Sequence, residues 1–228
     1  MNYTVIMNIL KNISTISKKQ LSIVALSIAL ASCGGATEEK KPVETTPEVV
    51  EKVCTYSYSN ESTEVRWTAY KHTAKNPVGG QFDKFEASVS DVKGTVMDLL
   101  SLLEMTVDVS TINSKDTARD KKLIAFFFDV MANTGTITGK VKSATETGGV
   151  LSMKMNDVEQ DVDFEYSVGE DSKLELKATI DVLNFQGEDA LASLGKACEA
   201  KHTGGDGEVK LWSEVSLYIT TQLEKNCE

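Results

Sequence analysis

The chain has 228 residues, four cysteines, 41% hydrophobic residues and a formal net charge of −10 at pH 7. This excess of acidic groups repels the phosphate backbone of nucleic acids, which argues against nucleic-acid binding. It also argues against membrane attachment through a cationic face. The composition is that of a globular protein large enough for one domain with a real core, or with a core that surrounds a ligand cavity.

The first 32 residues predict an export signal. Lys18 and Lys19 precede an uncharged apolar run over 21–30. A basic start, a core of about 10 apolar residues and a small-residue site are typical of a secretory signal, whereas a membrane span needs about 20 apolar residues. The sequence Leu30-Ala31-Ser32-Cys33 resembles the lipobox of bacterial lipoproteins, in which cleavage precedes a lipidated cysteine. The resemblance implies that Cys33 is the first residue of the mature chain and its membrane anchor.

Residues 33–53 predict the lipidated cysteine followed by a disordered tether, because the segment is charged, contains prolines and lacks aromatic residues. Residues 1–32 hold three lysines and no acid, so cleavage would leave 21 basic and 34 acidic side chains, a formal charge of −13. Gly34 is compatible with outer-membrane sorting. We therefore expect the protein in the bacterial cell envelope, anchored to the outer membrane on its periplasmic or surface face.

From residue 54 onward, apolar residues recur mostly at every second position. This alternation predicts strands over 64–70, 86–92, 102–109, 136–141, 150–155, 158–168, 174–182 and 209–223, with turns at 76–80 and 148–149. Such runs, separated by turns, indicate an antiparallel sheet with one buried face. A sheet of about eight strands avoids exposed edges by closing into a barrel or by packing as a sandwich.

Two segments interrupt the period-two pattern. Residues 116–128 predict a helical turn that leads into an apolar stretch, and residues 188–198 predict a helix with Leu191, Leu194 and Cys198 on one stripe. Acidic residues begin this second helix and lysine lies near its end, as the helix dipole favours. The sequence therefore predicts one all-β domain over 54–228, with one or two short helices.

Four segments, in order, resemble the sequence pattern of the YceI family. They are Val65 to Lys71, Val78 to Phe85, Val107 to Asp120 and Leu123 to Phe128. The likeness extends over about 54–228 and is sharpest between 65 and 128. The region from Cys198 to 207 departs from the short form of the family and is similar to a lipoprotein branch of it. The resemblance implies an elongated, lipocalin-like, eight-stranded antiparallel barrel.

The resemblance also implies a polyisoprenoid-type ligand, such as an isoprenoid lipid or the tail of a quinone, inside the barrel. A barrel of about eight strands can hold one small ligand, and burial contributes about 0.8 kcal/mol per CH₂. The expected function is storage, transport or protection of this lipid, with the membrane as a second partner through the anchor. The expected cavity lining is Trp67, Phe82, Met105, Val107, Phe127, Met153, Phe164, Leu176 and Ile180.

The same apolar residues would equally suit a solid core. In that case the protein would be a non-catalytic structural or interaction lipoprotein. Arg119 also has two interpretations. Asp116, Thr117, Arg119 and Asp120 offer helix caps and a local ion pair. The family resemblance places this segment at the cavity mouth, where Arg119 is the candidate contact for a ligand head group.

Patterns for catalysis are absent from the sequence. It contains no G-x-S-x-G, H-E-x-x-H, P-loop or dinucleotide fingerprint, so no enzymatic activity is expected. An enzyme would need a cofactor at Cys198 and His202, which are four residues apart. Two ligands are too few for a closed metal site, so we favour a structural cysteine and a loop histidine, with no metal. His72 is expected in a solvated loop.

Three cysteines remain once Cys33 is assigned to the anchor. An exported domain then allows one disulfide and one free thiol. The first and last strands of a closed antiparallel barrel pair, which would bring Cys54 beside Cys227. We therefore expect a Cys54–Cys227 disulfide, with Cys198–Cys227 as the alternative.

Overall fold

A computed structural model describes residues 54–89 and 91–227. The predicted signal over 1–32 and the predicted tether over 33–53, with Cys33, lie outside these residues. Thirteen strands are present in the described part of the chain. They are β1 Cys54–Ser57, β2 Thr63–Lys71, β3 Asn76–Phe82, β4 Phe85–Ala87, β5 Lys93–Gly94, β6 Glu104–Asp108, β7 Ile112–Asn113, β8 Thr136–Ala144, β9 Gly148–Met155, β10 Val158–Val168, β11 Lys173–Asp181, β12 Leu211–Gln222 and β13 Glu224–Cys227.

Helices occupy the connections between the strands. The α-helices are α1 Val96–Ser101, α2 Thr117–Phe126, α3 Glu188–Ala197 and α4 Glu199–His202, and short 3-10 helices span Asn60–Ser62, Val109–Thr111, Phe128–Val130 and Val182–Phe185. The two predicted helices thus appear as α2 and α3, which pack against each other. No helix in the described part of the chain has the length and apolar composition needed to cross a bilayer.

Ten strands form one curled antiparallel sheet in the order β4-β6-β8-β9-β10-β11-β12-β2-β3-β7. Alternation explains these strands: along β11, Leu174, Leu176, Ala178 and Ile180 are buried, and the residues between them are exposed. This one-sided burial supplies the inner face of the sheet. The core therefore lies inside the curl.

The sheet returns on itself through two interrupted strands. β3 leads directly into β4 and β6 leads through a 3-10 turn into β7, while β3 pairs with β7 and β4 pairs with β6. The ladder continues across the break, because the backbone N–H of Asp83 donates to the Thr111 carbonyl and that of Asp108 donates to the Lys84 carbonyl, both at 3.1 Å. The predicted antiparallel barrel is confirmed, and its strand count differs because two of its strands are split.

Two predicted elements before residue 100 are wrong. The glycine pair at 79–80 belongs to β3 and not to a turn; it lies opposite Thr68 and Trp67. The glycines allow close packing there, since a Cβ at Gly80 would lie 2.5 Å from Cζ2 of Trp67. The predicted strand over 86–92 ends at Ala87, and the unpredicted α1 follows at 96–101.

A capping box begins α1. The Thr95 hydroxyl accepts a hydrogen bond from the Asp98 backbone N–H, and the Asp98 carboxylate accepts one from the Thr95 N–H. This reciprocal pair satisfies two N–H groups that a helix start leaves without partners. The Thr-x-x-Asp pattern was therefore the sequence signal for this helix.

The predicted disulfide between Cys54 and Cys227 is present, and Cys198 is free. The bond lies outside the barrel, in a separate three-stranded sheet of order β13-β1-β5. In the barrel, β2 pairs with β12. Along the chain, β1 precedes β2 and β13 follows β12, and β1 and β13 pair with each other in the small sheet. The expected proximity of the chain ends is therefore correct, although a small second sheet provides it.

Candidate functional site

Two apolar cavities lie along the inside of the barrel. The first, of about 90 Å³, is bounded by α2, α3 and the barrel wall. The second, of about 110 Å³, is bounded by barrel strands that include β6, β8, β9 and β12. Phe82, Ile137, Met153 and Leu217 line both cavities, so the two adjoin.

Most of the predicted lining residues lie on these walls. Trp67, Phe127 and Ile180 line the first cavity, Met105, Val107 and Leu176 line the second, and Phe82 and Met153 line both. The prediction that Phe164 lines the cavity is wrong, because Phe164 lines neither apolar cavity. Its ring packs over Gly149, where a Cβ would lie 2.8 Å from Phe164 Cζ. This side chain fills the core, and ligand contact by the others stays a prediction.

A larger space, which we call the mouth cavity, adjoins the first apolar cavity. It has a volume of about 310 Å³ and is lined by Trp67, Ala69, Tyr70, Lys71, Val78, Asp116, Ala118, Arg119, Lys122, Leu123, Leu194, Cys198, Lys201, His202 and Leu211. Trp67, Ala69, Leu123, Leu194 and Leu211 also line the first apolar cavity. The three spaces therefore form a series from a polar mouth to an apolar interior.

The N-terminus of α2 places Arg119 at the mouth cavity. The Asp116 carboxylate accepts hydrogen bonds from the backbone N–H groups of Ala118 and Arg119, each at 3.1 Å. The hydrogen bond from the Arg119 N–H is the main cause that lowers the pKa of Asp116. Arg119 Nη2 lies 3.6 Å from the Asp116 carboxylate, so the expected cap and ion pair are both present. Arg119 also lines the mouth cavity, and head-group contact stays a prediction.

His202 ends α4 at the wall of the mouth cavity. Its backbone N–H donates to the Cys198 carbonyl at 3.0 Å, which continues the helical turn, and the residue is 9% exposed. The interpretation as a loop histidine is therefore wrong. Burial lowers the pKa of His202, and the positive charges of Lys71 and Lys122 lower it further. The imidazole is thus neutral near pH 7.

His72 lies in the turn after β2, on the rim of the same region. Its Nε2 is 3.1 Å from the Lys201 carbonyl oxygen, and its own carbonyl accepts a hydrogen bond from Trp212 Nε1 at 2.8 Å. These contacts connect the turn to α4 and β12. Within residues 54–89 and 91–227, no group of three or more His, Cys, Asp and Glu side chains is placed to hold a metal ion.

Two residues that line the mouth cavity each have a buried side-chain nitrogen without a hydrogen-bond partner. They are Nε1 of Trp67, which is 6% exposed, and Nδ1 of His202. Leaving a buried donor unpaired costs about 1–3 kcal/mol, so such atoms are uncommon in folded proteins. Their occurrence in residues that line one cavity marks this space as a candidate binding site.

The family model described as YceI-like domain matches residues 56–223. The chain belongs to the YceI-like family. This YceI-like barrel is similar in fold to a polyisoprenoid binding domain from Saccharophagus degradans implicated in plant cell wall breakdown. That likeness has a TM-score of 0.51 at 10% identity and covers 78% of this chain and 100% of that chain.

Two further solved structures are similar to this YceI-like chain. BcnA of Burkholderia cenocepacia shares 15% identity with a TM-score of 0.49, over 75% of this chain and 99% of that chain. The YceI protein of Campylobacter jejuni shares 17% identity with a TM-score of 0.40, over 69% of this chain and 89% of that chain. No curated protein matches in sequence.

Sequence analysis of this YceI-like chain missed three cations of the mouth cavity, Lys71, Lys122 and Lys201. Lys122 follows Arg119 by three residues, so both lie on one face of α2 and the helical spacing was a usable signal. Lys201 belongs to α4, a helix that the sequence did not predict. Its position depends on the turn after α3, and no local pattern indicated it.

Proposed function

We propose that this chain is a bacterial lipoprotein whose barrel binds a polyisoprenoid-type or other long apolar ligand, for storage, transport or protection. The observation that carries the proposal is the series of adjoining cavities, apolar inside the barrel and polar at one mouth. This arrangement suits a molecule with a long apolar chain and one polar end. The polyisoprenoid binding domain from Saccharophagus degradans, which has the same fold, supports the choice of ligand class.

Flexible side chains on the cavity walls allow a longer chain to enter. The apolar cavities of about 90 and 110 Å³ hold only a short hydrocarbon segment in the described conformation. Met153 lies between them, and Met105 and Met155 line one each. Methionine has three rotatable bonds and adapts its shape at little cost. Each additional buried CH₂ contributes about 0.8 kcal/mol, which favours opening of the passage.

The small volume of the apolar cavities also supports a second candidate function. If the methionines and phenylalanines stay in place, the barrel is a filled scaffold, and the protein acts through its acidic outer surface as a structural or interaction lipoprotein. The two functions differ in one measurable property. Only the first requires that an apolar chain occupies the barrel.

A substitution at the junction of the cavities distinguishes these functions. Ala69 lines both the mouth cavity and the first apolar cavity, so Ala69→Phe would block the passage between them. The matched control is Thr179→Phe, at an exposed position of β11. We expect the wild-type chain and the control to bind geranylgeraniol in native mass spectrometry, and Ala69→Phe to lose at least about tenfold in affinity. Equal binding by all three, or by none, would contradict a ligand inside the barrel.

We also propose that Cys33 carries the lipid anchor at the outer membrane, on its periplasmic or surface face. The lipobox-like sequence supports this proposal, and the Cys54–Cys227 disulfide is compatible with an oxidising compartment. Cells fed radiolabelled palmitate should incorporate label into the wild-type chain and not into Cys33→Ser. Label retained by Cys33→Ser would refute the assignment.

A further inference from the structure

Strands β10 and β11 separate from each other over part of their length. Residues 164–168 of β10 pair with residues 174–178 of β11. Beyond this ladder, residues 158–163 of β10 pair only with β9, and residues 179–181 of β11 pair only with β12. In the described part of the chain, no backbone hydrogen bond joins residues 158–163 to β11. The barrel wall therefore contains a gap, which we call the seam, along which β10 has a free edge.

The free edge of β10 offers backbone groups for hydrogen bonding. In an antiparallel strand, every second residue directs its N–H and C=O to the same side, so about half of the residues at 158–163 face the seam. Unpaired groups of this kind are a template for a further strand. The far end of the seam is closed, because Asn156 Nδ2 donates to the carbonyl oxygens of Phe185 and Gln186 at 2.8 and 3.0 Å. The free edge thus has a fixed length of about 20 Å.

A groove of about 470 Å³ lies along the seam. Its lining includes the buried residues Val162 and Ile180 as well as the exposed residues Asp163 and Thr179. Buried and exposed positions alternate along a strand and lie on its two faces, so a space that both of them line lies between the strands. The groove therefore adjoins the free edge of β10, at the place where an added strand would lie.

The groove along the seam is acidic. Its charged lining consists of four carboxylates and one ammonium group, which belong to Asp161, Asp163, Glu165, Asp181 and Lys177. Among the ion pairs of residues 54–89 and 91–227, only that of Asp161 with Lys142, at 2.9 Å, involves one of these carboxylates. Lys177 lies opposite Glu165 in the ladder. Asp163 and Asp181 thus have no cation within 4.0 Å, and the groove attracts positive charge.

We propose that the seam binds an extended, basic segment of another protein, which pairs with residues 158–163 of β10 as an added strand. Backbone hydrogen bonds supply the affinity, and contacts of lysine or arginine side chains with Asp163 and Asp181 supply the selectivity. The charge complementarity argues against a second copy of this chain as the occupant, because its formal charge of −10 would place like charges opposite one another. This interaction goes beyond the proposed ligand binding in the barrel and does not depend on it.

The test measures the binding of three dye-labelled peptides to the purified full chain by fluorescence anisotropy at low salt. They are the basic peptide TKVKVKT, its acidic counterpart TEVEVET, and the basic peptide with N-methyl groups on its central residues, which removes backbone donors and keeps the charge. We expect the basic peptide to bind at least about tenfold more tightly than either of the others. Equal binding of the methylated peptide would overturn strand addition, and equal binding of the acidic peptide would overturn the charge match. A failure of all three to bind would overturn the whole proposal.

Two charge-reversal variants connect the binding to the seam. Asp163→Lys should weaken binding of the basic peptide several-fold more than Asp189→Lys. The second variant is the matched control, because it makes the same change of charge at an exposed residue of α3 that does not line the groove. Equal affinity of the two variants would overturn this location.

Hydrogen exchange on the wild-type chain measures the backbone contact without a substitution. The basic peptide should slow the exchange of amides within residues 158–163, because an added strand accepts their hydrogen bonds. The amides of α3 should exchange at an unchanged rate. Binding of the basic peptide without slower exchange at 158–163 would overturn β10 as the edge that receives the strand.

Discussion

Trp67 and Gly80 show how one side chain shapes both the fold and the site. The two residues are direct neighbours on β2 and β3, and the missing Cβ of Gly80 makes room for the indole. The same indole forms part of the wall between the mouth and the apolar interior. A change at Gly80 should therefore disturb packing and binding together.

Gly80→Ala should lower the free energy of unfolding by about 1–3 kcal/mol, because overpacking forces side chains or backbone to move. The new Cβ would lie 2.5 Å from Trp67 Cζ2 and 2.9 Å from the Asn113 carbonyl oxygen. Gly139→Ala in β8 is the control, since its nearest neighbour would be Leu151 Cδ1 at 3.8 Å. Urea denaturation of both variants measures the effect. Equal stability of the two would contradict the close packing of Trp67.

His202 should make the fold sensitive to mild acid. Its folded-state pKa lies below the ordinary value of 6.5, so the folded state resists protonation. The free energy of unfolding should therefore be highest above that ordinary value and fall as the pH decreases toward the folded-state pKa. His202→Gln should lose this dependence between about pH 7.5 and 5.5. Denaturant titrations at several pH values would measure it, and an unchanged profile in His202→Gln would contradict the assignment.

The sequence predicted which residues point into the barrel, but not which of them line a cavity. Alternation along each strand identified inward positions such as Met105, Met153 and Ile180, because a barrel wall has two sides. It did not separate Phe164, which fills the core, from its neighbours on the cavity. That distinction depends on Gly149 in the adjacent strand, and pairing between distant strands is not visible in local sequence.

At the scale of elements, the long barrel strands and the helices α2 and α3 followed their sequence patterns. Several errors lie between β3 and α1, where strands are only 2–7 residues long. Later in the chain, the glycine pair predicted as a turn at 148–149 begins β9, and α4 was not predicted. Short strands hold too few alternating positions to define a period, and glycines in β3 serve packing and not a turn. The 3-10 turn at Val109–Thr111, whose start is capped by the Asp108 carboxylate, separates β6 from β7.

The small sheet of β13, β1 and β5 should depend on its disulfide. The bond joins residues separated by 173 positions, and closing so long a loop reduces the entropy of the unfolded chain by the equivalent of about 5 kcal/mol. Cys54→Ser with Cys227→Ser should therefore show a large decrease in thermal midpoint. Cys198→Ser, which removes the free thiol, should show little. Similar midpoints for the double variant and wild type would contradict a strong stabilising role.

At the scale of the whole molecule, closure of the sheet is what creates an interior. β2 pairs with both β12 and β3, and the split strands complete the ring, so the described barrel buries its apolar face against itself. Where the inward side chains are bulky and rigid, that interior is solid. Where Met105, Met153 and Met155 meet Phe82 and Phe127, it retains cavities. The central claim is that an apolar chain passes through the part of the interior where these cavities lie.

Methionine methyl groups report this passage directly. With ¹³C-methyl-labelled methionine and geranylgeraniol as the probe, NMR should detect nuclear Overhauser contacts from the hydrocarbon chain to Met153 and Met105. Met131 is the internal control, because it is buried but lines none of the three cavities. Contacts at Met153 and Met105 without contacts at Met131 are the predicted result. An absence of contacts at Met153 under saturating probe would contradict a ligand inside the barrel.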